Sequence, residues 1–496
     1  MAWELLPLGL FYLASITLAL SEIYFTIKSS KGFNFFLRPF PAVSQSLQIV
    51  NDFYNGKFYR PWAPEPILVE PTRKKMTELS ESPLLSQRAV YADMFGLRHT
   101  MNIAHQDEIK IMRTRSRLYA LILSVRGPAQ LTKLYPYLQI RLERFLNREL
   151  SPVRVHADGS MCLSLAETCR VMASRMMSVM FFGEELTSDP AFSKAIYDHP
   201  QHTVRCMALF QLMPRVMSPL VHAIVTRRGA AMKLILSRIM PIIDSETKNW
   251  TEPAGLKELT LLHVFTKETQ ATRDYWTPET LTQALMGLLL AASHQPWVNL
   301  HIFLYRLCAN PEWQDILREE IREAQTNQPF DYHRLSQLPL LDSFMRETAR
   351  LVSLDKLNIR RKALKDYTFA DGTPHVPAGA TVCVSSYDAS HNPATYPDPE
   401  NFDGRRFVDG NHKDSTHRYS DVSEHYLIWG YGSLACPGRF HATIVLKLAL
   451  ANILLRYHIR LEDPQMRSHW MYEAFSMPYE STKVILTPRG TAENFK

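Results

Sequence analysis

The stretch LIWGYGSLACPGRFHATIVL, residues 427–446, holds one cysteine in a setting suited to chemistry. Gly430 and Gly432 before Cys436, and Pro437 and Gly438 after it, make a tight loop without bulk, and an apolar helix follows at once. Such a loop can press a thiolate against a flat ligand. Backbone N–H groups at the start of the next helix would point at the sulfur and moderate its charge, which is how a protein tunes a thiolate-bound haem iron. Taken alone, the loop also reads as a structural cysteine in a glycine-rich turn.

A second stretch, LAASHQPWVN at 290–299, interrupts an apolar helix with His294, Gln295 and Pro296. Proline has no N–H, so the carbonyl of Ala292 loses its helical partner and the ring is expected to bend the helix. The freed carbonyl can hold a water, and the Gln295 amide can bond to it. His294 titrates near neutrality and can supply a proton unless burial shifts it. A partly exposed His294 on the far side of the bend is the other reading. A third pattern is ETAR, with Glu347 and Arg350 one helical turn apart. The same spacing recurs at Glu70/Arg73, Glu167/Arg170 and Glu319/Arg322, where solvated helix pairs are expected.

These residues need elements to carry them. Thr277 as N-cap and Pro278 at the first position start a helix that runs to about Ala309 and closes at Asn310-Pro311. A second, amphipathic helix begins at Pro311, and LLDSFMRETARLV predicts a third. From 359 to 391 alternating and β-branched runs broken by DG, Pro and AG turns read as short antiparallel strands. The fold class is mainly α with a small antiparallel β region.

Across 496 residues, 46% hydrophobic and 21% charged, the 31 prolines are scattered rather than gathered into a linker. The net charge of +7 is spread without a run of five or six like charges, which argues against a nucleic-acid arm. Six cysteines form neither a CxxC pair nor a dense framework, so reduced thiols facing the cytosol are expected and a zinc site is not. The apolar run from Leu5 to Phe25 has the length of a bilayer span, and Lys28, Lys31 and Arg38 follow it. It predicts an N-terminal transmembrane anchor over 1–27 with the body of the protein, 28–496, in the cytoplasm.

The arrangement resembles the cytochrome P450 superfamily, whose haem-ligand loop has the form FGxGx(R/H)xCxG. Here the pattern stands as Trp429, Gly430, Gly432, Leu434, Cys436 and Gly438; Leu434 departs from the Arg or His that holds a haem propionate in many relatives. ETAR resembles the family's ExxR, and PENFDGRRF resembles the segment whose arginine, here Arg406, completes a Glu-Arg-Arg cluster; Glu347, Arg406 and Cys436 follow in the family's order. SFMRETARL, RRKAL and ACPGRF look most like fungal members acting in specialised metabolism. The resemblance implies haem b with Cys436 as axial ligand, electrons from NADPH through a cytochrome P450 reductase, and propionate ligands at Arg113 and at Arg361 or its neighbour Arg360.

It further implies an endoplasmic-reticulum membrane protein that uses O2 to oxidise a lipophilic terpenoid, polyketide or indole alkaloid. Ala292, His294 and Gln295 stand at the family's oxygen-handling positions, yet its acid and threonine are absent there. Monooxygenation therefore competes with desaturation, oxidative closure, coupling or rearrangement without net oxygen insertion. A haem-binding membrane protein without turnover is the reading from another class. Arg439 and Lys447 are expected on a basic face toward the reductase, with internal pairing as the alternative for Arg439.

Overall fold

The computed structural model describes residues 65–100, 128–212, 217–248, 255–270, 276–325, 331–409, 417–432, 435–472 and 474–489. Among them no helix is long and apolar enough to cross a membrane, and the run from 5 to 25 that carries the anchor expectation lies outside them.

Eight helices matter for the site: α1 (Arg73–Glu81), α2 (Leu165–Ser188), α3 (Pro190–Leu212), α4 (Ala230–Lys248), α5 (Pro278–Ala309), α6 (Glu312–Gln325), α7 (Pro339–Leu351) and α8 (Arg439–Arg456). The long helix α5 starts as the sequence predicts, with the Thr277 hydroxyl accepting the Thr280 N–H at 3.2 Å and Pro278 at the first position. It stays α-helical through Pro296. Its flanks are apolar nearly all round, as a helix in the middle of a large core must be. It packs most extensively on α2, and also on α4, α3, α8 and α7. At the proline, Pro296 and Leu300 meet Met172, Ala173 and Met176 of α2 and Val445, Leu446 and Ala449 of α8, around a gap too small for a water molecule. Unbranched methionine fits the irregular surface that a proline ring leaves on a helix.

Helix α7 is held at both ends. The Glu320 carboxylate of α6 accepts the N–H groups of Leu340 (2.6 Å) and Leu341 (2.9 Å), satisfying two of the donors that a helix start leaves open. Burial pushes this carboxyl up to about 7. At the other end the Val352 N–H closes α7 on the Thr348 carbonyl at 3.0 Å.

The strands are β1 (Ile67–Val69), β2 (Leu85–Ser86), β3 (Arg154–Val155), β4 (Met161–Ser164), β5 (Leu357–Ala363), β6 (Tyr367–Thr368), β7 (His375–Val376), β8 (Thr381–Ser385), β9 (Tyr457–Leu461), β10 (His469–Tyr472), β11 (Phe475–Pro478) and β12 (Lys483–Pro488). They form one four-stranded sheet in the order β1-β8-β5-β2, a second in the order β3-β4-β12-β9, and the hairpins β6-β7 and β10-β11. The expected antiparallel pairing holds for β5 with β8, whereas β1 joins β8 in parallel. Ile359 in β5 takes a left-handed φ of 54° at a bulge between Asn358 and Arg361, an uncommon conformation for a β-branched residue. The C-terminal half of α5 ties down the segment leading into the β10-β11 hairpin: His301 Nε2 lies 2.9 Å from the Ser468 carbonyl, and the Tyr305 hydroxyl donates to the Met466 carbonyl at 2.9 Å.

Burial holds several histidines uncharged. His199, His294 and His469 are pushed down to about 4 and His301 to about 3. Their folded values lie below the unfolded one, so the unfolded chain binds more protons below about pH 6.5 and stability must fall there. The thermal unfolding midpoint is expected to drop continuously as pH falls from about 6.5 to 4.5. A flat profile over that range would contradict the buried, neutral assignment.

Candidate functional site

Gly430 and Gly432 take left-handed φ values of 78° and 61°, which glycine adopts without strain. The turn they make lets the Cys436 N–H donate to the Trp429 carbonyl at 2.6 Å. Cys436 then sits just before α8. Burial pushes its thiol up, while the backbone N–H groups of Gly438 and Arg439 at the sulfur pull the other way. Cys162, Cys169, Cys206 and Cys383 are buried, while Cys308 and Cys436 are partly open. A cysteine of intermediate exposure with helix-start donors at its sulfur is a fitting donor for the iron of a flat macrocycle. The Trp429 indole does not add to those donors, because its N–H is spent on the Tyr419 carbonyl at 2.7 Å.

The structure brings Glu347, Arg350 and Arg406 together. Arg350 donates to both carboxylate oxygens of Glu347, Nε to Oε2 at 2.7 Å and Nη2 to Oε1 at 2.8 Å. Arg406 Nε adds 3.1 Å to Oε2, and the Asp403 N–H adds 3.1 Å to Oε1. Glu347 and Arg350 are wholly buried. The arginines spend their remaining donors on carbonyls: Arg350 on Ser390 and Pro399, Arg406 on Pro397, Asp398 and Asn401. Every charge is paired, the condition on which a buried ion cluster is tolerated. Helix α7 also fixes the segment leading to the cysteine loop, since Ser343 accepts the Phe407 N–H at 3.0 Å and Arg346 donates to the Arg418 carbonyl at 2.7 Å.

On α5, Ala291 and Gln295 are exposed although Leu290 and Pro296 beside them are buried. The two lie one turn apart and share one exposed face of a helix that is otherwise largely buried. Ala292 is half-buried, and Pro296 offers its carbonyl no N–H. His294 is half-buried too, and its Nδ1 accepts the Trp297 indole N–H at 3.2 Å. The ring proton therefore belongs on Nε2. Arg170 lies over the Trp297 ring at 4.5 Å, and with burial its charge keeps His294 down at about 4. Burial thus shifts His294 away from neutrality, the condition under which the sequence reading left it no proton to supply at neutral pH.

Arg170 is itself a correction. The Glu167/Arg170 pair was expected on a solvated face; its ion pair exists at 2.8 Å, but Arg170 is 8% exposed and also pairs with Glu480. The meeting of Trp297 and Arg170 with His294 carried no sequence signal, because only the packing of α2 on α5 brings Arg170 there. Lys447 is a further correction. It is buried at 1% exposure and bonded to Asp342 at 2.7 Å, so it offers nothing to a partner surface. Arg439 turns inward as well, donating to the Cys436 carbonyl at 2.9 Å.

Arg361 is buried against α1, its Nε donating to the Leu79 carbonyl at 2.7 Å. Arg360 is held by Asp355, with Nη2 to Oδ1 at 2.6 Å and Nε to Oδ2 at 3.1 Å. Both guanidiniums thus have protein partners. Arg113 and Leu434 lie outside the described residues.

Comparison with known proteins places this geometry. The cytochrome P450 family profile matches residues 87–486. Cytochrome P450 monooxygenase ntnM of Nectria sp is 30% identical over 308 residues, 61% of this chain and 58% of that protein. The fusicoccin H C-9 hydroxylase of Phomopsis amygdali is 25% identical over 73% of this chain and 70% of its own, and cytochrome P450 monooxygenase paxP of Penicillium paxilli is 27% identical over 64% and 63%. In fold, the chain is similar to a retinoic acid-bound cyanobacterial CYP120A1, with a TM-score of 0.62 at 18% identity over 83% of this chain and 87% of the other.

Proposed function

The chain belongs to the cytochrome P450 family, and from that premise we propose that it is a haem-thiolate monooxygenase acting on a lipophilic metabolite of a fungal specialised pathway. The observation that carries the proposal is Cys436, half-open on a glycine-cornered loop with helix-start donors at its sulfur and the Glu347 cluster fixing the segment before it. Cys436 would hold the iron. Bound there, haem supplies the oxidation: with two electrons and two protons, one atom of dioxygen enters a C–H bond and the other leaves as water. The named activities of the fungal relatives, hydroxylation among them, support this reaction class.

The protein's own residues position and protonate. The exposed face of α5 at Ala291 and Gln295 borders the reacting space, and the Gln295 amide both donates and accepts there. The Ala292 carbonyl, left without a helical N–H, is an acceptor for water. Because His294 is neutral, protons reach the site through water ordered by these groups rather than from an imidazolium. That departure from the family's acid and threonine favours a second reading, in which the net reaction is desaturation, ring closure, coupling or rearrangement.

Membrane attachment and a reductase in the endoplasmic-reticulum membrane complete the proposal. Supporting them are the apolar run at 5–25 and the outward-facing Leu220 and Ile224 of the short helix Ser218–Val225, Ile224 at 69% exposure, followed by exposed Arg227 and Arg228.

Accurate mass decides between the readings. In a producing strain with the gene deleted, the intermediate that accumulates is expected to be lighter by one oxygen atom than the product that disappears. A difference of two hydrogens, or none, would overturn monooxygenation and leave the second reading. If the purified protein with reductase and NADPH neither consumes NADPH nor converts that intermediate, both readings are overturned.

A further inference from the structure

We propose that Asn299 and Tyr419 form a positioning bridge that locks the oxygen-side helix α5 to the loop of the haem-ligand cysteine. The inference rests on the haem-thiolate reading and deepens it. Asn299 lies one turn beyond Gln295 and is 6% exposed. Its Nδ2 donates to the Gln295 carbonyl at 3.0 Å, and its Oδ1 accepts the Tyr419 hydroxyl at 3.3 Å. Both ends of this buried amide are thereby used, where an unused end would carry a desolvation cost.

Tyr419 cannot follow α5 if the helix moves. Its N–H is bound to Asp342 Oδ1 at 3.1 Å and its carbonyl to the Trp429 indole at 2.7 Å. Its ring is fully buried, packed edge-on against Phe303 (5.6 Å between centroids) and Trp429 (5.2 Å). Trp429 in turn accepts the Cys436 N–H. One line of hydrogen bonds therefore runs from the Gln295 peptide through Asn299, Tyr419 and Trp429 to the Cys436 peptide.

The reason for a bridge at this point is Pro296. It deprives α5 of one backbone hydrogen bond beside Gln295, and a helix weakened in its middle is free to shift on its neighbours. The side-chain bond from Asn299 to the Gln295 carbonyl falls in the following turn, and Tyr419 anchors it to the ligand side. What the bridge fixes is the separation between the open face of α5 and the thiolate loop.

The test compares full-length wild type, Tyr419→Phe, Asn299→Asp and the double variant, each haem-loaded. Tyr419→Phe removes one hydroxyl and no ring volume; Asn299→Asp keeps the acceptor for Tyr419 and removes the donor to Gln295. Two readouts report on α5 independently of turnover: amide hydrogen exchange of peptides covering 290–303, and the infrared C–O stretch of the reduced carbon monoxide form. Each single variant is expected to retain haem and speed exchange in that segment: Tyr419→Phe about fivefold, the loss of one neutral hydrogen bond, and Asn299→Asp by at least as much because it also buries a carboxylate. Each should also shift or broaden the C–O stretch, and the double variant should do no more than Asn299→Asp alone.

Unchanged exchange and an unchanged stretch in haem-loaded variants would overturn the bridge, as would effects that add. Failure of Tyr419→Phe to load haem while Asn299→Asp loads it and leaves α5 unchanged would also overturn it. Failure of the haem-thiolate reading looks different: the wild type itself would lack a thiolate-type carbon monoxide spectrum.

Discussion

Glu347→Ala is expected to yield protein that carries no haem and is less stable by about 3–5 kcal/mol, the usual cost of removing one member of a buried ion cluster. The geometry explains why the effect should be so large. Glu347 and Arg350 are wholly buried and doubly bonded, and Arg406 shares the same carboxylate. Without the carboxylate two guanidiniums face each other across a cavity. The carbonyls of 390–401 that they hold lose their anchor, and the segment that runs on to Cys436 loses its reference. The haem-to-protein ratio and a urea unfolding curve check this directly. Normal haem content with an unchanged midpoint would show that the cluster does not support the ligand loop.

Lys447→Met should cost a comparable amount, again about 3–5 kcal/mol, for a reason unrelated to any partner. Asp342 is 2% exposed and relies on the Lys447 ammonium at 2.7 Å; its other oxygen accepts the Tyr419 N–H. Removing the cation strands a buried carboxylate. Adding Asp342→Asn to Lys447→Met neutralises both charges and is expected to recover most of the loss, as replaced buried pairs often do. Unfolding curves of the two single variants and the double variant measure it. If Lys447→Met leaves stability intact and instead weakens reductase binding, the interior placement of this lysine is wrong.

Much of the site is legible in the sequence because its chemistry is local. The glycines around Cys436 must turn the chain, Glu347 and Arg350 fall on one helix face, and Thr277-Pro278 starts α5 where it should. What escaped the sequence depends on side chains far apart along the chain. Arg170 reaches Trp297 from another helix, and Asn299 meets Tyr419 across 120 positions. Charge type misled in the same way: Lys447 and Arg170 read as surface residues because a buried cation looks no different in sequence from a solvated one until its carboxylate partner is in place. His294 was legible as a titratable group, but its neutral state follows from Trp297 and Arg170, which only packing supplies.

The reduced carbon monoxide spectrum of the purified protein beside Cys436→Ser tests the central claim most directly. The account predicts the long-wavelength band of a thiolate-bound haem in the wild type, and its complete loss in Cys436→Ser even where haem is retained. Persistence of that band in the variant would contradict the assignment of Cys436 as the ligand, and its absence from haem-reconstituted wild type would contradict the haem-thiolate account as a whole.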